Sequence, residues 1–246
     1  MPHSSDRPSK GEENPFHTLF HDIETRFQSS TLDPQKWYIL TLACLVASPD
    51  PESASHLYTY LTHQPTYTTP TARQALTRRL RETLIKSVPL VGVCKPIEAI
   101  LSISRLENPN DKDYTFTREN WACDDANHTR GVAWFEKLYA GNAGDTLDIF
   151  SAHKDFAWLS TEITYGLYLY DRQVLVDDVD TQLVVLPAIM SQNLRLETHW
   201  HIRGTRRLGV AKGDVEVVCD CVRAVAAFFG TRLDRVPAVE DVEPDV

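Results

Sequence analysis

Three dipeptides, Asp33-Pro34, Asp50-Pro51 and Thr69-Pro70, stand at the head of successive apolar stretches. An Asp or Thr at an N-cap accepts from the first free amides of a helix, and a proline just inside has no amide to leave unpaired. The spacing behind each pair agrees. Trp37, Leu40, Thr41, Cys44 and Leu45 fall on one helical face, then Ala54, Leu57, Tyr58 and Leu61, then Leu76, Leu80, Leu84 and Ile85. Pro89 is expected to end the third helix, because it lacks an amide and crowds the preceding turn. A further helix near Pro96 carries Ile97, Ile100, Leu101 and Ile103. Strand alternation is nearly absent; the β-branched run 182–186 has no partner of its kind. The pattern predicts an all-α chain.

Residues 106–117 are rich in turn formers and divide the chain into two parts. The expected organisation is a disordered leader at 1–14, an N-terminal helical repeat at 15–107, a C-terminal repeat at 108–236 and a frayed acidic tail at 237–246. In the second part a helix is predicted from Thr117 through Trp121, His128, Val132, Phe135 and Leu138, broken at Gly141-Asn-Ala-Gly144. A longer one over 152–170 places Phe156, Leu159, Ile163, Leu167 and Tyr170 together. Asp177 to Asp180 is an acidic cap for a helix beginning near Thr181, and Gly209 and Gly230 close the last two.

Composition narrows the function classes. A net charge of −9 over 246 residues argues against a nucleic-acid or membrane-surface binder, either of which needs a basic face. Arg78-Arg79-Leu80-Arg81 and Arg203-Gly-Thr-Arg206-Arg207 are the two local clusters that can hold an anion, or simply form solvated helix faces. No apolar run approaches the roughly 20 residues of a membrane span. Five cysteines without regular spacing fit a reducing compartment, and the default location is cytoplasmic. No Cys-x-x-Cys, no Gly-x-Ser-x-Gly, no glycine-rich phosphate loop and no His-Glu-x-x-His occurs. Nothing therefore calls for a cofactor, although the sequence leaves a metal near His199 and His201 undecided.

The densest chemistry lies in Glu197-Thr-His199-Trp200-His201-Ile-Arg203-Gly204. On a helix, Glu197 and His201 are i, i+4 neighbours, while His199 and Arg203 form a second pair on a different side. Glu197 is expected to orient His201 and raise its pKa, giving an acid or base near neutrality. Arg203 or His199 would hold developing anionic charge. The bland alternative is that one pair is buried in an inter-helix hydrogen-bond network while the other faces water. The ring-rich middle of the chain, Tyr165 included, reads as core or as the walls of a cavity for a flat ligand.

His201, Thr205 and Gly209, four residues apart and followed by Val210 and a new amphipathic segment, resemble the core-helix motif of the carboxymuconolactone decarboxylase and alkylhydroperoxidase D-like superfamily. Residues 175–184 resemble that family's upstream segment, and 81–100 resemble its fungal members. The matched pieces cover roughly a third of the chain. The resemblance implies an alkylhydroperoxidase D-like bundle, two degenerate repeats, and a homo-oligomer built on apolar helix faces. Where the peroxidase branch carries its cysteine pair this chain has Leu194 and Glu197, and Gln182 stands at the proton-relay glutamate. That departure implies a non-redox lyase, isomerase or cyclase acting on a small carbonyl or lactone compound, with Gln182, Trp200 and Tyr165 against the substrate. A catalytically inactive oligomeric or ligand-binding member is the alternative, and a thiol peroxidase using Cys219 or Cys221 a remote one.

Overall fold

The computed structural model describes residues 14–170 and 173–246. Among them the chain is all-α, with no strand and no helix long and apolar enough to cross a membrane. Expectations for 1–13 lie outside the described residues. Asn14 caps α1 (Pro15–Phe27) by accepting from the Phe16 amide. Asp33 caps a 3-10 turn that leads into α2 (Trp37–Ala47), and a second 3-10 turn at Pro51–Ser53 leads into α3 (Ala54–Thr62). Thr69 caps α4 (Pro70–Val91), which α5 (Cys94–Ser104) follows.

The second part contains α6 (Asp125–Tyr139), α7 (Ala143–Asp148) and α8 (Lys154–Trp158), the last continuing as a π-helix over Leu159–Leu169. Asp177 caps α9 (Asp178–Met190), and α10 (Arg195–Arg207), α11 (Lys212–Phe228) and the short α12 (Val239–Val242) complete the order.

Two helices are apolar nearly all round. Every residue of α2 is buried, as is α9 from Asp180 to Met190. A helix without a polar face must lie inside, and these two pack on each other with α1, α4 and α11 around them. The expected boundary at 107/108 therefore separates no cores: one continuous cluster runs from Leu19 on α1 through Leu183 on α9 to Val242 on α12. A smaller cluster joins Trp134, Phe135, Leu138 and Tyr139 of α6 to Tyr165 and Leu169 of the π-helix. Val185 and Ile189 of α9 complete it, so α9 serves both cores.

Several local expectations need correction. α4 runs through Pro89 to Val91 before Gly92, at φ +83°, ends it. So near a C-terminus the missing proline amide costs one hydrogen bond. α6 starts at Asp125 rather than Thr117; its N-cap is Asp124, which accepts from the Asn127 amide, and Trp121 lies before it between Arg118 and Arg130. On α5 the buried residues are Pro96, Ala99, Ser102 and Ile103, leaving Ile97 and Leu101 exposed. Over 152–170 the π-helix buries Thr161, Glu162, Tyr165, Gly166 and Leu169, while Phe156 and Leu159 face outward. In the arginine cluster of α4, Arg78 and Arg81 pair with Asp113, and Arg79 lies over the Tyr38 ring. The tail is docked, with Val239 and Val242 buried and Glu243 gripping Arg206.

α6 and the π-helix touch backbone to backbone. A Cβ on Gly131 would stand 1.9 Å from the Thr161 carbonyl oxygen, and one on Gly166 2.7 Å from the Asn127 side chain. Gly131→Ala is expected to cost about 3 kcal/mol in urea unfolding, the upper range for overpacking. Gly144→Ala, where a Cβ meets nothing within 4 Å, is expected to be neutral or slightly stabilising. Equal stability of the two variants would show that the two helices can separate freely.

Candidate functional site

α10 begins after the extended residue Leu194, carries Glu197 in its first turn and Arg206 and Arg207 in its last, in accord with the helix dipole. Gly204 lets it settle on α6, since a Cβ there would fall 2.5 Å from Leu138 Cδ1. That approach turns His201 and Thr205 inward against α9. His201, 4% exposed, donates from Nδ1 to Gln182 Oε1 at 3.2 Å, and Thr205 Oγ1 lies 3.2 Å from the same oxygen. The Thr205 hydroxyl also reaches the His201 carbonyl at 2.6 Å. With its proton held on Nδ1, the neutral ring keeps Nε2 as a free acceptor.

The ring lines a cavity of about 200 Å³ with Glu197, Trp200, Tyr139, Tyr165 and Phe135. Tyr139 stands edge-on to it at 6.4 Å between centroids. The Tyr165 hydroxyl donates to the Tyr139 hydroxyl at 3.2 Å, and burial raises both phenols, leaving them protonated donors. Burial also lowers His201 to about 4. The imidazole is neutral around pH 7 because burial strips away the hydration that its charged form needs.

The expected catalytic set divides in two. His201 and Glu197 share the cavity, but the ring's hydrogen bond goes to Gln182, and Glu197 neither orients His201 nor raises its pKa. Its charge acts instead on Tyr139, helping to raise that phenol. Gln182, expected against substrate, holds the imidazole, and its own amide nitrogen is buried without a partner among the described residues. Trp200 and Tyr165 do line the cavity. His199 and Arg203 lie on the opposite side of α10, where His199 Nε2 pairs with Asp245 at 2.9 Å. Tyr139 and Thr205 were absent from the expected site. Tyr139 follows Phe135 by one turn on the buried side of α6, the signal that marks it.

Other chemistries find little support. No group of three or more His, Cys, Asp or Glu suited to a metal occurs among the described residues. Asp177 caps α9 and, with Asp180, pairs with Lys36. Cys219 and Cys221 are buried and their thiols pushed up to about 12, so neither supplies a thiolate near neutrality.

The His201 environment sets a sign for acid stability. The unfolded chain takes up this proton near pH 6.5 and the folded chain near 4. Between those values the unfolded state binds more protons, so stability falls as pH drops through the window. Wild type is expected to lose about 2 kcal/mol more than His201→Gln between pH 7 and 4.5. Denaturant titrations at both pH values measure it; parallel losses would mean that the folded ring protonates normally.

No family model matches the chain. It is similar to Peroxisomal protein 2 of Schizosaccharomyces pombe, with 26% identity over 205 residues, covering 80% of this chain and 88% of that protein. No solved structure matches.

Proposed function

We propose that this chain is a cofactor-free acid–base enzyme of the carboxymuconolactone decarboxylase-like kind, acting on a small carbonyl or lactone compound. The observation that carries the reading is the buried imidazole, held in one tautomer by Gln182 and presented to an aromatic-walled cavity beside a phenol donor. The meeting of His201 and Thr205 with Gln182 supports it, because the first two are positions at which the sequence resembles that family and Gln182 stands where the peroxidase branch has its proton-relay glutamate. A cavity of about 200 Å³ is below the usual range of roughly 300–1,000 Å³ for drug-sized ligands, which favours a small substrate.

In this reading His201 Nε2 accepts a proton from the carbon next to the carbonyl, and the Tyr139 hydroxyl donates a hydrogen bond to the oxygen as charge accumulates there. Where a C=C adjoins that carbon, the resulting dienolate takes the proton back from His201 at its far end, so the double bond moves and the step consumes no cofactor. An imidazole near pKa 4 is a weak base but, once protonated, a strong acid that readily gives the proton back. That low basicity also favours a second reading, a binding protein that holds a small carbonyl compound without turning it over.

The exposed side chains of Val93, Ile97 and Leu101 on and beside α5 offer an apolar face for a homo-oligomer, measurable by light scattering. The name of the fission-yeast relative makes the peroxisome a candidate location beside the cytoplasm, to be distinguished by imaging the tagged chain.

A screen of small lactones and keto acids tests the main reading. His201→Ala is expected to lose a factor of about 10² to 10⁴ in turnover, and Tyr139→Phe a smaller one. Turnover unchanged in His201→Ala overturns the assignment; binding without turnover in wild type favours the second reading.

A further inference from the structure

On the opposite side of α10, an open groove of about 930 Å³ runs between that helix and the segment preceding α12. Arg203 forms part of its wall and is only 8% exposed. Its neighbours on the last turns of α10 are both engaged. Arg206 forms a two-pronged pair with Glu243, and Arg207 donates to the carbonyls of Tyr139 and Asp245. Arg203 has no hydrogen bond or ion pair among the described residues. Asp245, whose charge reaches it, has its carboxylate on His199, and Asp241 accepts from the Ala238 amide.

A guanidinium presents five donors, and one on a residue this largely buried is poorly served without an acceptor. The groove is the direction from which an acceptor can come. Arg195 and Arg235 line the same groove with side chains that also make no pair among the described residues. Leu194, Trp200 and Pro237 supply apolar surface between them.

We propose that this groove binds a small organic oxyanion, a carboxylate or phosphate head on an apolar body, with Arg203 as the buried anchor and Arg195 and Arg235 as outer contacts. The head lies toward Arg203 and Arg235, away from the carboxylate of Glu197, and the body lies against Trp200. A planar guanidinium suits this work because it can bind two oxygens of such a head at once. The site is separate from the His201 cavity, so it stands whatever His201 does.

Calorimetric titration of the full chain with phenyl phosphate, benzoate and benzyl alcohol tests it. Saturable binding of at least one anion is expected, with no detectable binding of the neutral alcohol. The stronger of the two anions distinguishes a phosphate site from a carboxylate site. Arg203→Met is expected to weaken binding at least tenfold and Arg235→Gln about threefold, whereas His201→Ala binds like wild type. Absence of saturable anion binding, equal binding of the alcohol, or wild-type affinity in Arg203→Met overturns the proposal. If Arg203→Met loses its helical circular dichroism, Arg235→Gln on its exposed loop decides: unchanged affinity there overturns the proposal as well.

Discussion

The site depends on one close contact, Gly204 of α10 against Leu138 of α6. A Cβ at 204 would force Leu138 to repack or the helices to part, and interiors this dense absorb such a change poorly. The contact sets two neighbouring residues at once. It brings Tyr139, next to Leu138, across from His201, and it places Arg207 where it donates to the Tyr139 carbonyl at 2.7 Å. A second close approach, of α6 to the π-helix at Gly131 and Gly166, places Tyr165 within hydrogen-bonding distance of Tyr139. The cavity is thus a product of glycines that lie outside it.

Desolvation then separates two kinds of chemistry on a single helix. Toward α9 the ring is buried, and His201 remains neutral near pH 7 because desolvation disfavours the imidazolium. Arg203, two residues on, is also largely buried, but a guanidinium does not escape its charge by losing a proton. One residue answers burial by changing its protonation state, and the other retains a charge that needs a counterion. Glu197 and Trp200 border both spaces, so a ligand in either one senses the same carboxylate and the same indole.

Much of the scaffold is legible because caps are local chemistry. Asp33, Thr69 and Asp177 mark helix starts that need only their own following amides. The extent of α10 follows from its flanking residues, and Gln182 was readable as a site position through motif resemblance. The π-helix was not, since no residue pattern encodes a wider turn, and its buried set differs from the 3.6-residue stripe of Phe156, Leu159 and Ile163. The partnership of Glu197 with His201 failed for a related reason. Spacing of i, i+4 brings two Cβ atoms near each other but leaves the direction of the ring to be set by tertiary neighbours, here Gln182 from a helix nineteen residues upstream. The docked tail was missed because its acids read as solvated until Arg206, His199 and Lys212 are placed opposite them.

Those docked acids bear on what the arginines of α10 can attract. The chain carries −9 overall, so a long polyanion approaching the groove meets repulsion from the rest of the surface. At physiological salt that repulsion fades beyond about 8 Å, whereas a partner held within the groove lies closer than this to the arginines. A global negative field combined with a local, partly desolvated positive wall therefore selects by size as well as by charge. Nucleic acid, which needs many phosphate contacts spread along a basic face, gains little from three arginines flanked by Glu197 and Asp241. A small molecule that places one charged head on Arg203 gains nearly the full local attraction and avoids most of the opposing field.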